Sequence, residues 1–199
     1  MTMTKNLRKK ALILSVFTVC YNIIEGIVSI VAGVLSNSIS LTGFGIDSFI
    51  ESISGVVMIW RFKKLDKINK DEEERIERIA QRLVAVSFFI LSAYILYESI
   101  TKLYFRQKTE PSIPGLIIII MSIIIMPILF YLKYRTGRLL GSKSLVADSK
   151  ETLACIFLSV AVLLGILFNF FYGFWQADPI AAIIISIYLI VEGIRILKE

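Results

Sequence analysis

Six apolar segments, at roughly 11–35, 38–60, 80–105, 113–134, 144–171 and 177–196, take up most of the 199-residue chain. Each is long enough to cross a bilayer as a helix, which takes about 20 apolar residues. An α-helix satisfies its own backbone polar groups, as a segment surrounded by hydrocarbon must. The chain is therefore expected to be an all-α integral membrane protein with six transmembrane helices, one domain over residues 1–199. Hydrophobic residues make up 56% of it and mean hydropathy is +0.76. Soluble domains carry about 45–50% apolar residues even with glycine counted, and no room is left for a separate soluble domain. The first run follows Lys5, Arg8, Lys9 and Lys10 in the manner of a signal peptide. It continues from Ala11 to Leu35, too far for that, and reads as a retained span.

Basic residues set the expected topology. The amino terminus, a 61–82 loop, a 133–143 loop and the carboxyl terminus hold 18 of the 22 Lys and Arg. Lys102, Arg106 and Lys108 lie on the opposite side, and Lys150 falls within span five. An even number of spans with both termini cytoplasmic satisfies the positive-inside bias. Ser36-Asn37 makes a tight hairpin of spans one and two, and the charged stretch from Arg61 to about Ala80 extends span three or forms a short amphipathic helix. Pro111 and Pro114 mark the loop before span four, Trp175 sits at interfacial depth, and Pro179 suits a helix start.

The net charge of +6 and pI of 9.3 follow from these flanking charges. They indicate a lipid bilayer as the partner and no nucleic acid. Cys20 and Cys155 both fall in spans, so no disulfide framework is expected. The chain has no histidine, which removes the commonest transition-metal ligand. Ile- and Lys-rich usage points to a prokaryotic plasma membrane.

Seven acidic residues lie in or near the spans: Glu25, Asp47, Glu51, Glu98, Asp148, Glu151 and Glu192. A carboxylate at a helix centre costs about 2.5–3.5 kcal/mol on insertion scales, so depth decides which are informative. Asp47 and Glu51 stand four residues apart, on one helical face, near the middle of span two. Glu151 and Cys155 repeat that spacing in the first half of span five. Two side chains from each of two facing helices can meet at one point, and four-coordinate O and S ligation suits zinc and its neighbours. The reading is a divalent-metal site, with a proton exchanged at a carboxylate as metal leaves. Asn22 and Glu25 on span one are expected in the second shell or along the ion pathway. Asp148 either favours the amino terminus of its helix electrostatically or joins that second shell. Glu98 and Glu192, toward helix ends, are expected to reach water or a basic neighbour.

The chain resembles the transmembrane domain of the cation diffusion facilitator (cation efflux) family. The resemblance is carried by SISLTGFGIDSFIES in span two, SLVADSKETLAC in span five and WQADPIAAIIISIYLIVEGIR at span six. That family draws an Asp-or-His-x-x-x-Asp pair from span two and a similar pair from span five. The resemblance places these at Asp47 and Glu51, and at Glu151 and Cys155. It implies a six-span, usually homodimeric exporter that moves Zn²⁺ or a related ion out of the cytoplasm against protons. Glu151 stands where histidine is frequent and Cys155 where aspartate is usual. Extra carboxylate favours harder ions such as Mn²⁺, whereas a thiolate favours Zn²⁺, Cd²⁺ or Co²⁺; Fe²⁺ also falls in range. No cofactor is expected beyond the transported ion. The cytoplasmic domain usual in the family is expected to be missing after span six.

The function expected is therefore metal/proton antiport by alternating access. The alternative is a non-transporting membrane subunit or metal-responsive scaffold that keeps the fold, although a scaffold gains little from costly buried acids. An organic-cation transporter would instead need an aromatic-lined cavity. Enzyme activity is not expected, since no His-Glu zinc motif, Ser/Lys pair or catalytic Asp pair is present.

Overall fold

A computed structural model of the chain describes residues 2–35, 39–64, 70–106, 113–173 and 175–198. They form six helices: α1 Thr2–Leu35, α2 Ile39–Lys64, α3 Lys70–Phe105, α4 Ile113–Leu140, α5 Lys143–Tyr172 and α6 Ala177–Lys198. Each corresponds to one apolar segment of the sequence, and the protein is an all-α membrane protein. The Ser36-Asn37 turn and the loop around Lys108 and Pro111 lie outside the described residues.

Helix lengths depart from the apolar segments in one direction. The charged stretch after Arg61 is mostly helix, with α2 running to Lys64 and α3 starting at Lys70. Likewise α4 continues to Leu140, so most of the basic 133–143 stretch is helical, and only Gly141 and Ser142 separate α4 from α5. Hydropathy marks where a helix meets lipid, whereas helix itself extends into water wherever capping and ion pairs support it. Gly141 ends α4 with φ 65°, and the Ser142 amide donates back to the Gly137 carbonyl at 2.9 Å, closing the helix end. Among the described residues, four stretches are long and apolar enough to cross a membrane: Lys5–Leu35, Leu41–Lys64, Glu74–Phe105 and Ile113–Leu140. The first turns of α5 carry Asp148, Lys150 and Glu151, and the end of α6 carries Glu192 and Arg195.

The helices pack most extensively as α1 on α2, α4 on α5 and α3 on α6, with α2 and α5 meeting inside. Small residues let α1 and α2 approach closely. A Cβ on Gly45 would stand 2.8 Å from the Gly26 carbonyl oxygen, and one on Gly26 would stand 3.0 Å from that of Gly45. In hydrocarbon such backbone proximity drives association through dispersion, because burial from lipid gives no hydrophobic gain. Isoleucine, valine and phenylalanine side chains such as Ile24, Ile117 and Phe171 cover the outside. Serines line the inside instead: Ser15, Ser29, Ser48, Ser54, Ser122, Ser144, Ser159 and Ser186 are all buried. This inversion, polar within and apolar without, is what a bilayer as solvent selects.

Ion pairs tie the helices together where α2 and α6 end and α3 and α5 begin. Arg61 of α2 pairs with Glu77 of α3. The Ser144 amide at the start of α5 donates to the same Glu77 at 2.7 Å. Glu192 of α6 takes Lys150 of α5 and, at 2.9 Å, Arg195. This is the terminal face of the bundle, since both chain ends lie there.

Candidate metal-binding site between α2 and α5

Helical spacing sets the site. Asp47, Glu51 and Ser54 follow one another on one face of α2 at steps of four and three residues. Asp148, Glu151, Thr152 and Cys155 form the matching stripe on α5. All seven are buried, none more than 3% exposed.

Two hydroxyls join the stripes. The Thr152 hydroxyl donates to Glu51 Oε1 at 2.7 Å. The Ser54 hydroxyl donates to Asp148 Oδ1 at 2.5 Å. The Cys155 thiol lies beside Glu51, close enough to interact with Asp47 as well. Glu151 is close to Asp148 and Glu51, with Ser54 and Ser87 next to it. Those serines direct their hydrogens elsewhere, Ser54 to Asp148 and Ser87 to the Val84 carbonyl at 2.7 Å.

The result is a set of carboxylate oxygens without donors. Both oxygens of Asp47, both of Glu151 and Oε2 of Glu51 have no hydrogen-bond partner. An unsatisfied buried polar atom costs about 1–3 kcal/mol, and more when charged. Protons or a cation relieve that cost. The donor set, hard oxygens with one soft sulfur and no nitrogen, fits a divalent ion. Among the described residues, no three Asp, Glu or Cys side chains converge closely enough to hold a metal at once. Coordination of one ion by these groups would require side-chain rotation.

Asp148 does not act as a helix cap. The start of α5 is held by Glu77, which accepts from the Ser144 amide, and by Ser142 Oγ, which accepts from the Leu145 amide at 3.2 Å. Asp148 is fully buried and pairs with Lys133 of α4, whose Nζ lies 2.8 Å from Oδ2. The same ammonium donates to Thr152 Oγ1 at 3.0 Å, one hydroxyl away from Glu51. Lys133 is the residue that sequence reasoning missed. It closes the apolar run PILFYLK and so reads as a loop charge. Its signal lay in register: Met126, Leu129, Lys133, Thr136 and Gly137 recur on the buried stripe of α4.

Glu25 and Asn22 both lie on the buried side of α1. Glu25 is fully buried and accepts from Tyr21 at 3.1 Å and from Ser48 of α2 at 2.9 Å. Its charge is close enough to interact with Asp47 and Glu51. Asn22, one turn earlier, is buried with neither amide atom hydrogen-bonded. Glu98 and Glu192 do find basic partners: Glu192 as described, and Glu98 through Lys102 at 3.1 Å.

Comparison with known proteins identifies the family. The cation efflux transmembrane domain matches residues 15–199. Transmembrane protein 163 of Xenopus laevis is 25% identical over 98% of this chain and 69% of its own length. The cadmium, cobalt and zinc/H⁺-K⁺ antiporter of Bacillus velezensis is 25% identical over 96% of the chain and 61% of its own length. The magnetosome protein MamB of Magnetospira is 29% identical over 83% of the chain and 58% of its own length. The chain thus spans about three fifths of the latter two relatives. With a family match over nearly every residue and acidic pairs facing each other across α2 and α5, the chain belongs to the cation efflux family.

Proposed function

We propose that the protein exports a divalent metal ion, Zn²⁺ or a close relative, in exchange for protons by alternating access. The ion binds Asp47, Glu51 and Glu151 with the Cys155 thiolate as fourth ligand. Protons on the carboxylates take the place of the metal after release. All six helices span the membrane with both termini cytoplasmic, in the plasma membrane of a prokaryotic cell, and two copies associate through membrane helices. The observation that carries the reading is the group of five buried carboxylate oxygens without donors where α2 meets α5. Such groups are expensive in a membrane interior unless a cation or proton uses them. The antiporter named among the relatives supports the exchange of metal for protons.

Lys133 makes the charge balance feasible. Four carboxylates, Asp47, Glu51, Asp148 and Glu151, lie together, and one is already matched by an ammonium. A divalent ion then meets three acids and a thiol, of which some keep protons.

The test is flux by the purified protein in proteoliposomes, with Zn²⁺, Co²⁺ and Mn²⁺ measured separately. Wild type is expected to move at least one ion and to move protons the opposite way, with no partner protein present. Asp47→Asn and Glu151→Gln are expected to abolish flux while the protein stays folded. Full flux of every ion in both variants would overturn the site. No flux by wild type under any gradient would favour the non-transporting subunit.

A further inference from the structure

Beyond the α2–α5 site, a cavity of ≈30 Å³ opens from Asp47 toward the face opposite the termini. It has room for about two waters. Its polar side chains are Asp47 of α2 with Tyr94, Glu98, Ser99 and Lys102 of α3, and Leu158 and Val162 of α5 supply apolar walls. Three observations give it a chemical character. Asp47, 3% exposed, borders it with both carboxylate oxygens lacking a hydrogen-bond partner. Glu98 is pressed onto Gly43, where an added Cβ would stand 2.1 Å from Oε2 and 2.2 Å from Oε1. Only glycine there admits a carboxylate so close to the α2 backbone, one turn (about 5.4 Å) beyond Asp47. Third, Tyr94 contacts Glu98, and the Lys102 ammonium lies 3.1 Å from Glu98 Oε1.

We propose that Asp47, Glu98 and Tyr94 form a second cation station on the outward path, taking a partly hydrated divalent ion, with the Lys102 ammonium as the tethered cation it displaces. This rests on the proposed transport function and adds a step to it. An ion leaving Glu51 and Cys155 keeps Asp47 as a ligand and gains Glu98 and water. Because two carboxylates, Glu51 and Glu151, and a thiolate are given up for one carboxylate, a phenol and water, the second station binds hard and soft ions alike more weakly than the first. Release becomes a descent in affinity, and the ion is never without an anionic ligand in the low-dielectric interior. Lys102 returns to Glu98 once the ion has left, so the carboxylate is never left without a cation.

The experiment uses the full chain, with Mn²⁺ as a paramagnetic probe for binding and Zn²⁺ for flux. Wild type should bind one Mn²⁺ tightly and a second weakly. Glu98→Gln should lose the weak site, keep the tight one within about twofold, and lower maximal Zn²⁺ flux about tenfold without raising KM, the pattern of an impaired release step. Lys102→Met should tighten the weak site about tenfold, because its competitor is gone. Gly43→Ala keeps every charge but displaces the Glu98 carboxylate, and should reproduce Glu98→Gln; it guards against a folding defect in that variant. The station is overturned if Glu98→Gln binds two Mn²⁺ as wild type does, or carries Zn²⁺ at the wild-type rate. It is equally overturned if that variant loses the tight site together with the weak one. Failure of the transport reading looks different: wild type would bind Mn²⁺ and carry no Zn²⁺ at all.

Discussion

Lys133 and Asp148 face each other at 2.8 Å with neither side chain reaching the surface, a complete ion pair inside the helix bundle. The pair joins α4 to α5, and through Ser54 on Asp148 and Thr152 on Lys133 it reaches α2 on both sides. A buried pair contributes little relative to a well-packed apolar replacement, because desolvation offsets attraction. Its consequence is asymmetric: removing one partner leaves the other charge stranded.

Lys133→Met is therefore expected to destabilise the protein by about 3–5 kcal/mol. The double variant Lys133→Met/Asp148→Asn should recover most of that loss, since neither charge then remains. Thermal unfolding in detergent, followed by the helical circular dichroism signal, reads both. Equal stability of Lys133→Met and wild type would show that Asp148 has another source of compensation.

Thr152 touches no proposed metal position, yet it donates to Glu51 and accepts from Lys133. Thr152→Val keeps the shape and removes the hydroxyl that orients Glu51. Support of this kind around a ligand is worth about 10–100-fold in metal affinity. The expected outcome is a loss in that range for Zn²⁺ measured by calorimetry, with Thr152→Ser close to wild type. An unchanged affinity in Thr152→Val would place Glu51 outside the coordination sphere.

Acid should weaken metal binding. Carboxylates and a thiol must lose protons to become ligands, so binding releases protons and apparent affinity falls as pH falls. Calorimetry in two buffers of different ionisation enthalpy gives the protons released per ion. More than zero is expected in wild type, and fewer in Glu151→Gln, which has one proton less to lose. The same count in both would remove Glu151 from the exchange.

Much of this was legible in the chain because a bilayer is a demanding solvent. Asp47, Glu51 and Glu151 stand out in apolar runs, spacing put Asp47 and Glu51 on one face of α2, and the resemblance paired that face with α5. The helix ends were partly legible: the charged stretch before Ala80 reads as an extension of span three or a short helix, and α3 does begin at Lys70. The 133–143 stretch instead reads as a loop although α4 continues to Leu140, since basic residues end hydropathy without ending helix. Lys133 escaped notice because a lysine at the end of an apolar run normally snorkels to the interface. Only tertiary packing of α4 on α5 turned it inward. Glu98 read as a carboxylate near a helix end that reaches water or a basic neighbour, and it pairs with Lys102. Its approach to Asp47 depended on the absence of a side chain at Gly43, a fact of α2–α3 packing that no spacing within one helix reveals.

Cys155 carries the question of which metal is preferred. Its thiol lies beside Glu51, buried and outside any disulfide. A thiolate ligand selects softer ions, and oxygen in its place selects harder ones. Cys155→Asp should therefore lower affinity for Cd²⁺ relative to Mn²⁺ by about tenfold or more. Co²⁺ provides a direct reading, since a bound thiolate gives an intense sulfur-to-metal absorption that carboxylates lack. That band is expected in wild type, absent in Cys155→Ser and in Cys155→Asp, and present in Cys20→Ser, whose thiol is exposed on α1. Wild-type protein that binds Co²⁺ without the band would leave Cys155 as a buried apolar residue and reduce the site to three carboxylates.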